Sequence, residues 1–210
     1  MSKEISSDSL DLIVKSYLGG IPAINVIHIN MQKDRPMSWS QISSFEYDPE
    51  QWYQAYVLGE KGEPSGAMKF GKKIGDKYLY EKTFQREYKI TGKIGNIPLI
   101  GFIDAFDLEN KKLIELKTGR NWDLKKAQTH GQIDLYCAML WTMHKIHPAE
   151  LDIKLIWLAT EETGDFSTQF VKDMKPVIFP IKKTMLDVLN MLARVKRVKA
   201  QMESYTQSHS

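Results

Sequence analysis

Apolar and polar residues alternate along several short stretches of the chain, and this alternation is the pattern of half-buried β-strands. It predicts strands at residues 23–29, 84–91, 151–160 and 168–171, and two more within GFIDAFDLENKKLIELKTGR at 101–120. Most of the predicted strands therefore fall between residues 81 and 180.

Apolar residues spaced three and four apart predict helices on both sides of these strands. The predicted helices span residues 9–18, 66–80 and about 124–144, with a long final helix from Leu186 that has a basic end at Arg194–Lys199. Two more lie between residues 38 and 59, where Ser38 or Ser40 can cap the first, Pro49 suits the first turn of the second, and Gly59 ends it.

This order of elements predicts an α/β fold in which helices flank a mixed central β-sheet. A chain of 210 residues suits a single domain. We expect a helical region to about residue 80, a sheet core over residues 81–180, and a basic C-terminal helix over residues 181–210.

Composition narrows the class of protein. Apolar residues make up 42% and charged residues 26% of the chain, as in ordinary soluble proteins. We expect no membrane span and no secretory signal, because no long apolar run occurs and the first residues are polar. The single Cys137 excludes a disulfide framework and a cysteine zinc site, so a reducing cytoplasmic setting is expected, or the host cytoplasm for a viral protein.

The net charge of +3 is unevenly distributed. Residues 1–60 carry four basic and eight acidic side chains, so the remainder of the chain is basic. This mild bias is compatible with a polyanionic partner and equally with solvated lysines.

Charged residues in the middle of the predicted hairpin at 101–120 suggest a site. If the hairpin is symmetric about Glu109 and Asn110, where Asn110 tolerates a left-handed conformation, Asp104 lies opposite Glu115. Two carboxylates in that arrangement destabilise a sheet unless a cation lies between them, and carboxylate oxygens are ligands that Mg²⁺ prefers. Lys117 follows on the same face of the strand as Glu115.

These segments resemble the RecB-like branch of the PD-(D/E)XK nuclease superfamily. The family pattern runs GxxD, then an acidic-x-Lys strand, then a helix with QxxxY, and the matching residues are Gly101–Asp104, Glu115–Lys117 and Gln132–Tyr136. Upstream, SWSQISSFEYDPEQWYQAYVLG and GAMKFGKKI resemble the family's N-terminal helices. The resemblance covers roughly residues 38–140. It implies a restriction-endonuclease-like core and a metal-dependent DNA nuclease, in particular an exonuclease of recombination, repair or phage and mobile-element replication.

The chain departs from the family pattern at two positions. Asp48 stands where many members have a cysteine of an iron–sulfur cluster, so no such cluster is expected. Gly75 stands where many members have a histidine metal ligand. The resemblance therefore implies a metal site completed by water or by an upstream carboxylate, for which Glu87 is the preferred candidate.

The resemblance also implies a role for each matched residue. Asp104, Glu115, the backbone carbonyl of Leu116 and Glu87 would hold one or two Mg²⁺ or Mn²⁺ ions. Lys117 would orient or deprotonate the attacking water, or stabilise developing charge. On the helix, Gln132 would contact the active site or the nucleic acid, and Tyr136 would support it or stack on a base.

Further residues are candidates for contacts with DNA. Gln128 lies one turn before Gln132 on the same helix face. Phosphates of the DNA backbone would pass the residues that follow the catalytic strand, namely Thr118, Arg120, Lys125 and Lys126.

Other functions stay open at this point. Loss of the histidine leaves room for a catalytically degenerate module that binds nucleic acid, and the same fold could serve an endonuclease or junction resolvase. The expected partner is DNA, either single-stranded or as duplex ends. The family resemblance alone also implies that the protein could assemble as a homo-oligomer or bind a helicase or recombination partner.

Overall fold

Five α-helices and six strands make up the part of the chain that the computed structural model describes, which is residues 35–60, 62, 84–162, 169–171 and 175–209. The helices are α1 (Trp39–Tyr47), α2 (Pro49–Trp52), α3 (Leu124–Gln128), α4 (Gly131–His144) and α5 (Met185–Ser208). The strands are β1 (Gln85–Ile94), β2 (Ile97–Asp107), β3 (Lys112–Gly119), β4 (Asp152–Glu162), β5 (Gln169–Val171) and β6 (Val177–Ile181). A π-helical turn (Tyr53–Val57) continues α2, and a 3₁₀ turn (Pro148–Glu150) precedes β4.

The strands form one mixed sheet, with β1, β2, β3 and β4 side by side. Strands β3 and β4 run parallel, and the chain between them passes through α3 and α4, as a parallel connection requires. All other neighbouring pairs are antiparallel, including β5 and β6 on β4. The predicted α/β fold with a mixed central sheet and flanking helices is confirmed.

The β2–β3 hairpin has the register that symmetry about Glu109 and Asn110 predicts. The observed pairs include Asp107 with Lys112. The tip differs in detail, because Lys111 rather than Asn110 takes the left-handed conformation, with φ of 54°. Asn110 instead donates its backbone N–H and its side-chain amide to the Asp107 carboxylate, at 3.0 and 2.7 Å.

Two helices replace the single helix predicted over residues 124–144. Asp123 caps α3, and the helical conformation is interrupted at Thr129 and His130 before α4 starts at Gly131. A Cβ atom at Gly131 would lie 2.2 Å from the Trp39 ring. The break therefore coincides with the place where α1 packs onto α4, a contact that helical periodicity does not reveal.

Several other elements differ from their predicted bounds. β1 extends to Ile94, and β6 was not predicted because its short run contains Pro180, which an edge strand tolerates. Ser38 occupies the N-cap position of α1, but its hydroxyl bonds the Ser40 hydroxyl rather than a backbone N–H of the helix. The predicted elements at 9–18, 23–29 and 66–80, together with Gly75, lie outside the described residues.

The core lies between the sheet and the helices. Helix α4 is buried along most of its length, since it packs on β1 and against α5 and α1. The fully buried side chains include Ile103, Leu113, Ile133, Leu140, Leu155 and Val195. Of the described helices, none combines the length and apolar content that crossing a lipid bilayer requires.

A buried ion pair anchors the first turn of α4. The side chain of Lys183, only 3% exposed, places its Nζ atom 2.5 Å from Asp134 Oδ1 and also donates to the backbone carbonyl of Gln128. Burial raises the pKa of the Asp134 carboxyl, and Lys183 opposes that rise. The pair thus joins the loop before α5 to the end of α3 and the start of α4.

We expect Lys183→Met to destabilise the fold by about 3 kcal/mol, because it leaves the Asp134 charge buried without its partner. Urea unfolding measures the loss. The surface pair of Lys199 with Glu203 provides the control, and Lys199→Met should cost less than about 1 kcal/mol. The double variant Asp134→Leu/Lys183→Met should recover much of the stability. Equal losses for Lys183→Met and Lys199→Met would contradict this interpretation.

Candidate active site

Asp104 and Glu115 lie where β2 and β3 stop pairing. The ladder ends at Ala105 and Ile114, one step before the two carboxylates would face each other. Instead, Asp104 Oδ2 accepts a hydrogen bond from the Leu116 backbone N–H at 2.7 Å. The N–H and C=O of one strand residue point to the same side, so we expect the Leu116 carbonyl to face β2 as well. Two carboxylates and a carbonyl therefore meet at one gap in the sheet.

Glu115 carries a buried carboxylate that is only partly satisfied. The residue is 1% exposed, and its Oε1 atom accepts a hydrogen bond from Lys117 Nζ at 2.6 Å. Its other oxygen, Oε2, is buried and has no hydrogen-bond partner among the described residues. Burial raises the pKa of Glu115 to about 8; the charge of Asp104 adds to the rise, while Lys117 opposes it. Burial also raises the pKa of Asp104.

Glu87 lies in the neighbouring strand at the level of Asp104. The β1–β2 ladder continues on both sides of these residues, and its register places one opposite the other. Glu87 is exposed and left-handed, with φ of 47°, which an L-residue adopts only at a cost. Its charge contributes to the raised pKa of Asp104. Across the described ranges, no three Asp, Glu, His or Cys side chains form a ready-made metal cluster, so Glu87 is near the pair but not drawn into it.

A chain of hydrogen bonds connects Lys117 to helix α4 and back to β2. Lys117 Nζ donates to Gln132 Oε1 at 2.8 Å, and Gln132 Nε2 donates to the Tyr136 hydroxyl at 2.6 Å. The Tyr136 hydroxyl then donates to the backbone carbonyl of Phe102, two residues before Asp104. Burial raises the pKa of Tyr136, so its hydroxyl stays protonated and keeps this donor role.

Gly101 makes room for Tyr136. A Cβ atom on Gly101 would lie 2.9 Å from Tyr136 Cε1 and 3.2 Å from Ile90 Cγ2. The first residue of GxxD and the last of QxxxY are thus packed on each other. Sequence reasoning matched both motifs but gave no sign of this contact.

The residues predicted to contact DNA differ in exposure and in bonding within the protein. Arg120, Lys125 and Lys126 are exposed, and Thr118 is half-buried at the end of β3. Gln128 has its amide in intramolecular bonds instead: Nε2 donates to the Pro180 carbonyl at 3.1 Å, and Oε1 accepts from the Lys182 backbone N–H at 3.4 Å. In this structure Gln128 connects α3 to the end of β6.

His130 is a neighbour of the site that sequence reasoning did not assign to it. It lies at the N-cap of α4, with its ring edge-on to Trp39 and Trp122 at centroid distances of 6.2 and 5.3 Å. Burial lowers the pKa of His130 to about 4, and the nearby charge of Lys117 contributes to the shift. The ring is therefore neutral at neutral pH.

Comparison with known proteins identifies the fold. Neither a protein-family model nor a curated protein matches the sequence. A solved structure from Eubacterium rectale, proposed to be an exonuclease, is 11% identical with a TM-score of 0.60 and covers 100% of this chain and 89% of that one. This likeness shows that the chain has the fold of that protein.

Two further solved structures are more distant. An alkaline exonuclease from Laribacter hongkongensis, also solved in complex with dAMP, is 13% identical with a TM-score of 0.44 and covers 83% of this chain and 93% of that one. A phage-related exonuclease from Haemophilus somnus 129PT is 10% identical with a TM-score of 0.42 and covers 80% and 79%.

We expect the stability of the metal-free protein to fall as pH rises from 4.5 toward 8. In that range Glu115 stays protonated in the fold but ionises in the unfolded chain, so the unfolded state binds fewer protons. The loss should be about 2 kcal/mol between pH 6 and pH 8 relative to Glu115→Gln, measured by urea unfolding with a chelator present. Mg²⁺ should restore stability at pH 8 in the wild type only. If the unfolding free energies of the wild type and of Glu115→Gln changed with pH in parallel, this expectation would be contradicted.

Replacing Gly101 with alanine should destabilise the fold by about 1–3 kcal/mol, because the added methyl group overlaps the Tyr136 ring. Chemical unfolding checks the loss. Gly62 is the control: a Cβ atom there meets nothing within 4 Å, so Gly62→Ala should change stability little. The double variant Gly101→Ala/Tyr136→Leu should lose less than the sum of its single changes. Additive losses would show that the two residues do not interact.

Proposed function

We propose that the protein is a metal-dependent nuclease that hydrolyses phosphodiester bonds in DNA, and specifically an exonuclease. The observation that carries the proposal is the buried Glu115 carboxylate, with one oxygen bonded to Lys117 and the other without a partner among the described residues. A buried anionic oxygen in that state is costly, and a divalent cation shared with Asp104 would satisfy it. The fold shared with a proposed exonuclease supports the same assignment.

The donor set suits Mg²⁺ or Mn²⁺, because every atom in it is oxygen. Asp104, Glu115 and the Leu116 carbonyl would hold the cation, and Glu87 could join them through a change in its exposed side chain. When bound, the cation would lower the pKa of a ligated water and neutralise charge on the phosphate. The residues themselves must hold this water and the phosphate in place.

Lys117 fits the role of orienting groups and stabilising charge. An ammonium group has three N–H donors, and two of them reach Glu115 and Gln132, at 2.6 and 2.8 Å. The side chain is 22% exposed, so the third donor can reach a water or a phosphoryl oxygen from solvent. A group that donates to two acceptors is placed to stabilise developing negative charge.

Gln132 and Tyr136 would fix that ammonium relative to the carboxylates. Gln132 holds Lys117 directly, and Tyr136 connects Gln132 to the backbone of β2, the strand that carries Asp104. Hydrogen bonds therefore run without a break from Glu115 through Lys117, Gln132 and Tyr136 to the Phe102 carbonyl, two residues before Asp104. We infer that this set keeps the geometry needed when a phosphate enters.

DNA would approach along the residues that follow β3. Thr118, Arg120, Lys125 and Lys126 lie in this region, and the three basic ones are exposed. Basic side chains there would contact backbone phosphates independently of sequence. We place the enzyme in DNA recombination, repair or phage and mobile-element replication, acting alone, as a homo-oligomer or with a helicase.

The nuclease should cleave labelled linear DNA in the presence of Mg²⁺ or Mn²⁺. We expect Asp104→Asn and Lys117→Ala each to slow cleavage at least about 100-fold with DNA binding retained, because each removes a group that acts on the reacting phosphate. Lys112→Ala, at the other end of β3, is the matched control and should cleave at nearly the wild-type rate.

Two substrates and a binding assay separate the remaining functions. An exonuclease leaves covalently closed circular DNA intact, whereas cleavage of the circle would indicate an endonuclease or junction resolvase. Binding of DNA without cleavage under either metal would overturn the nuclease proposal and favour a DNA-binding module.

A further inference from the structure

Trp122 lies in the short loop between the catalytic strand β3 and helix α3. Gly119 at the end of β3 and Asn121 in the loop have positive φ angles of 115° and 59°, so the chain changes direction there. The Trp122 ring packs half-buried against the core and meets His130 edge-on, with the ring planes at 88°. The indole is therefore held in a fixed orientation.

This ring is a close neighbour of the proposed catalytic groups. His130 lies between Trp122 and these groups. Its ring contacts Trp122, and in sequence it precedes Gln132 by two residues at the start of α4. Lys117 Nζ bonds Gln132 Oε1 at 2.8 Å in the first turn of α4, so the ammonium lies at the same end of the helix as the His130 ring. A nucleotide whose phosphate meets Lys117 would thus carry its base toward Trp122.

A lysine ammonium lies over the face of the Trp122 indole. Lys126 Nζ lies 4.6 Å from the centroid of the Trp122 ring, and the lysine is exposed. Its other contact is a long hydrogen bond of 3.4 Å to the Asn121 carbonyl. An exposed lysine held so weakly can move aside for a base and still reach the adjacent phosphate.

Trp39, the other indole beside His130, is not available in this way. It lies over Gly131, where a Cβ atom would come within 2.2 Å of its ring, and Arg194 lies 5.0 Å from its centroid on the packed surface. Arg194 is in turn held by Glu46, whose carboxylate accepts hydrogen bonds from both Nε and Nη2 of the guanidinium. The cation over Trp39 is thus held by a carboxylate, whereas the cation over Trp122 is an exposed lysine, and for this reason we infer that a ligand would bind at Trp122.

We propose that Trp122 and Lys126 bind an unpaired nucleotide of the DNA substrate beside the scissile phosphate, the base stacking on the indole and the ammonium contacting a phosphate. The proposal rests on the nuclease function and adds the substrate class, which is single-stranded DNA or a frayed strand end. A base inside a duplex is stacked on both faces by its neighbours and cannot stack on the indole. Stacking of this kind tolerates any base, as a nuclease without sequence preference requires.

Binding of fluorescent oligonucleotides tests the site in an Asp104→Asn background, which prevents cleavage. The probes are a single strand, the same single strand with abasic sites, and a blunt duplex of the same sequence. Trp122→Leu should weaken binding of the intact single strand about tenfold and leave binding of the abasic strand unchanged, because only the first can stack. Trp122→Phe should restore most of the affinity.

Trp141→Leu is the matched control, since Trp141 is also half-buried and lies near the other end of α4. It should leave the affinity for every probe unchanged. Thermal unfolding of each variant confirms that the fold is retained. Lys126→Ala should weaken binding of both single strands alike, because it removes a phosphate contact.

Three outcomes would overturn the proposal: equal loss for intact and abasic strands in Trp122→Leu, equal loss in Trp141→Leu, or no binding of single strands by the parent protein. The nuclease function is judged separately, by cleavage with Asp104 intact. If the intact protein cleaves nothing while Trp122-dependent binding persists, the base site stands and the nuclease proposal fails. If the intact protein cleaves DNA but binding does not depend on Trp122, the nuclease proposal stands and the base site fails.

Discussion

The structure of the site depends on a carboxylate kept inside the protein with only half of its hydrogen-bonding capacity met. Glu115 is buried at the end of the β2–β3 ladder, and Lys117 supplies one partner. Desolvation of an anion is costly, so the site tolerates Glu115 either protonated or beside a positive ion. The ammonium of Lys117 is bound on its other side by Gln132, which ties the charge balance of the strand to helix α4.

Packing around small residues sets the distances in that arrangement. Gly101 admits the Tyr136 ring, and Gly131 admits the Trp39 ring, each at a separation that a Cβ atom would block. Tyr136 then reaches the backbone of β2, and Trp39 holds the start of α4 against α1. The positions of the hydrogen-bonding groups in the site therefore depend on these two packing contacts.

The β2–β3 hairpin could be predicted from the sequence because it depends on residues that are close together along the chain. The register of the β2–β3 hairpin follows from a polar tip and alternating strands, and the expected pair of Asp107 with Lys112 is present, whereas the ladder ends before Asp104 would pair with Glu115. The same hairpin brought Asp104, Glu115 and Lys117 to one end of the sheet, and the motif match added Gln132 and Tyr136. These residues are close together in the structure, although their catalytic roles remain predictions.

Contacts between distant segments were beyond the sequence. Nothing in the periodicity of residues 124–144 shows that Trp39 packs at the break before α4, or that Lys183 pairs with Asp134. At the hairpin tip, Asn110 tolerates a left-handed conformation, but the Asp107 carboxylate engages Asn110 and Lys111 takes the positive φ. In each case the deciding contact is made by a side chain from outside the local sequence pattern.

An interrupted ladder is the feature that turns this sheet into a site. Had β2 and β3 continued to pair, the backbone of Leu116 would be bonded to β2 and the two carboxylates would repel across the strands. Pairing stops at Ala105 and Ile114, and the Asp104 side chain takes the place of a backbone acceptor. Further along β2, Met37 takes over as the neighbour, donating to the Pro98 carbonyl at 2.8 Å and accepting from the Ile100 N–H at 3.0 Å. Met37, two residues before α1, thus covers the edge of β2 beyond the gap, and the gap itself stays confined to the few residues that carry the carboxylates.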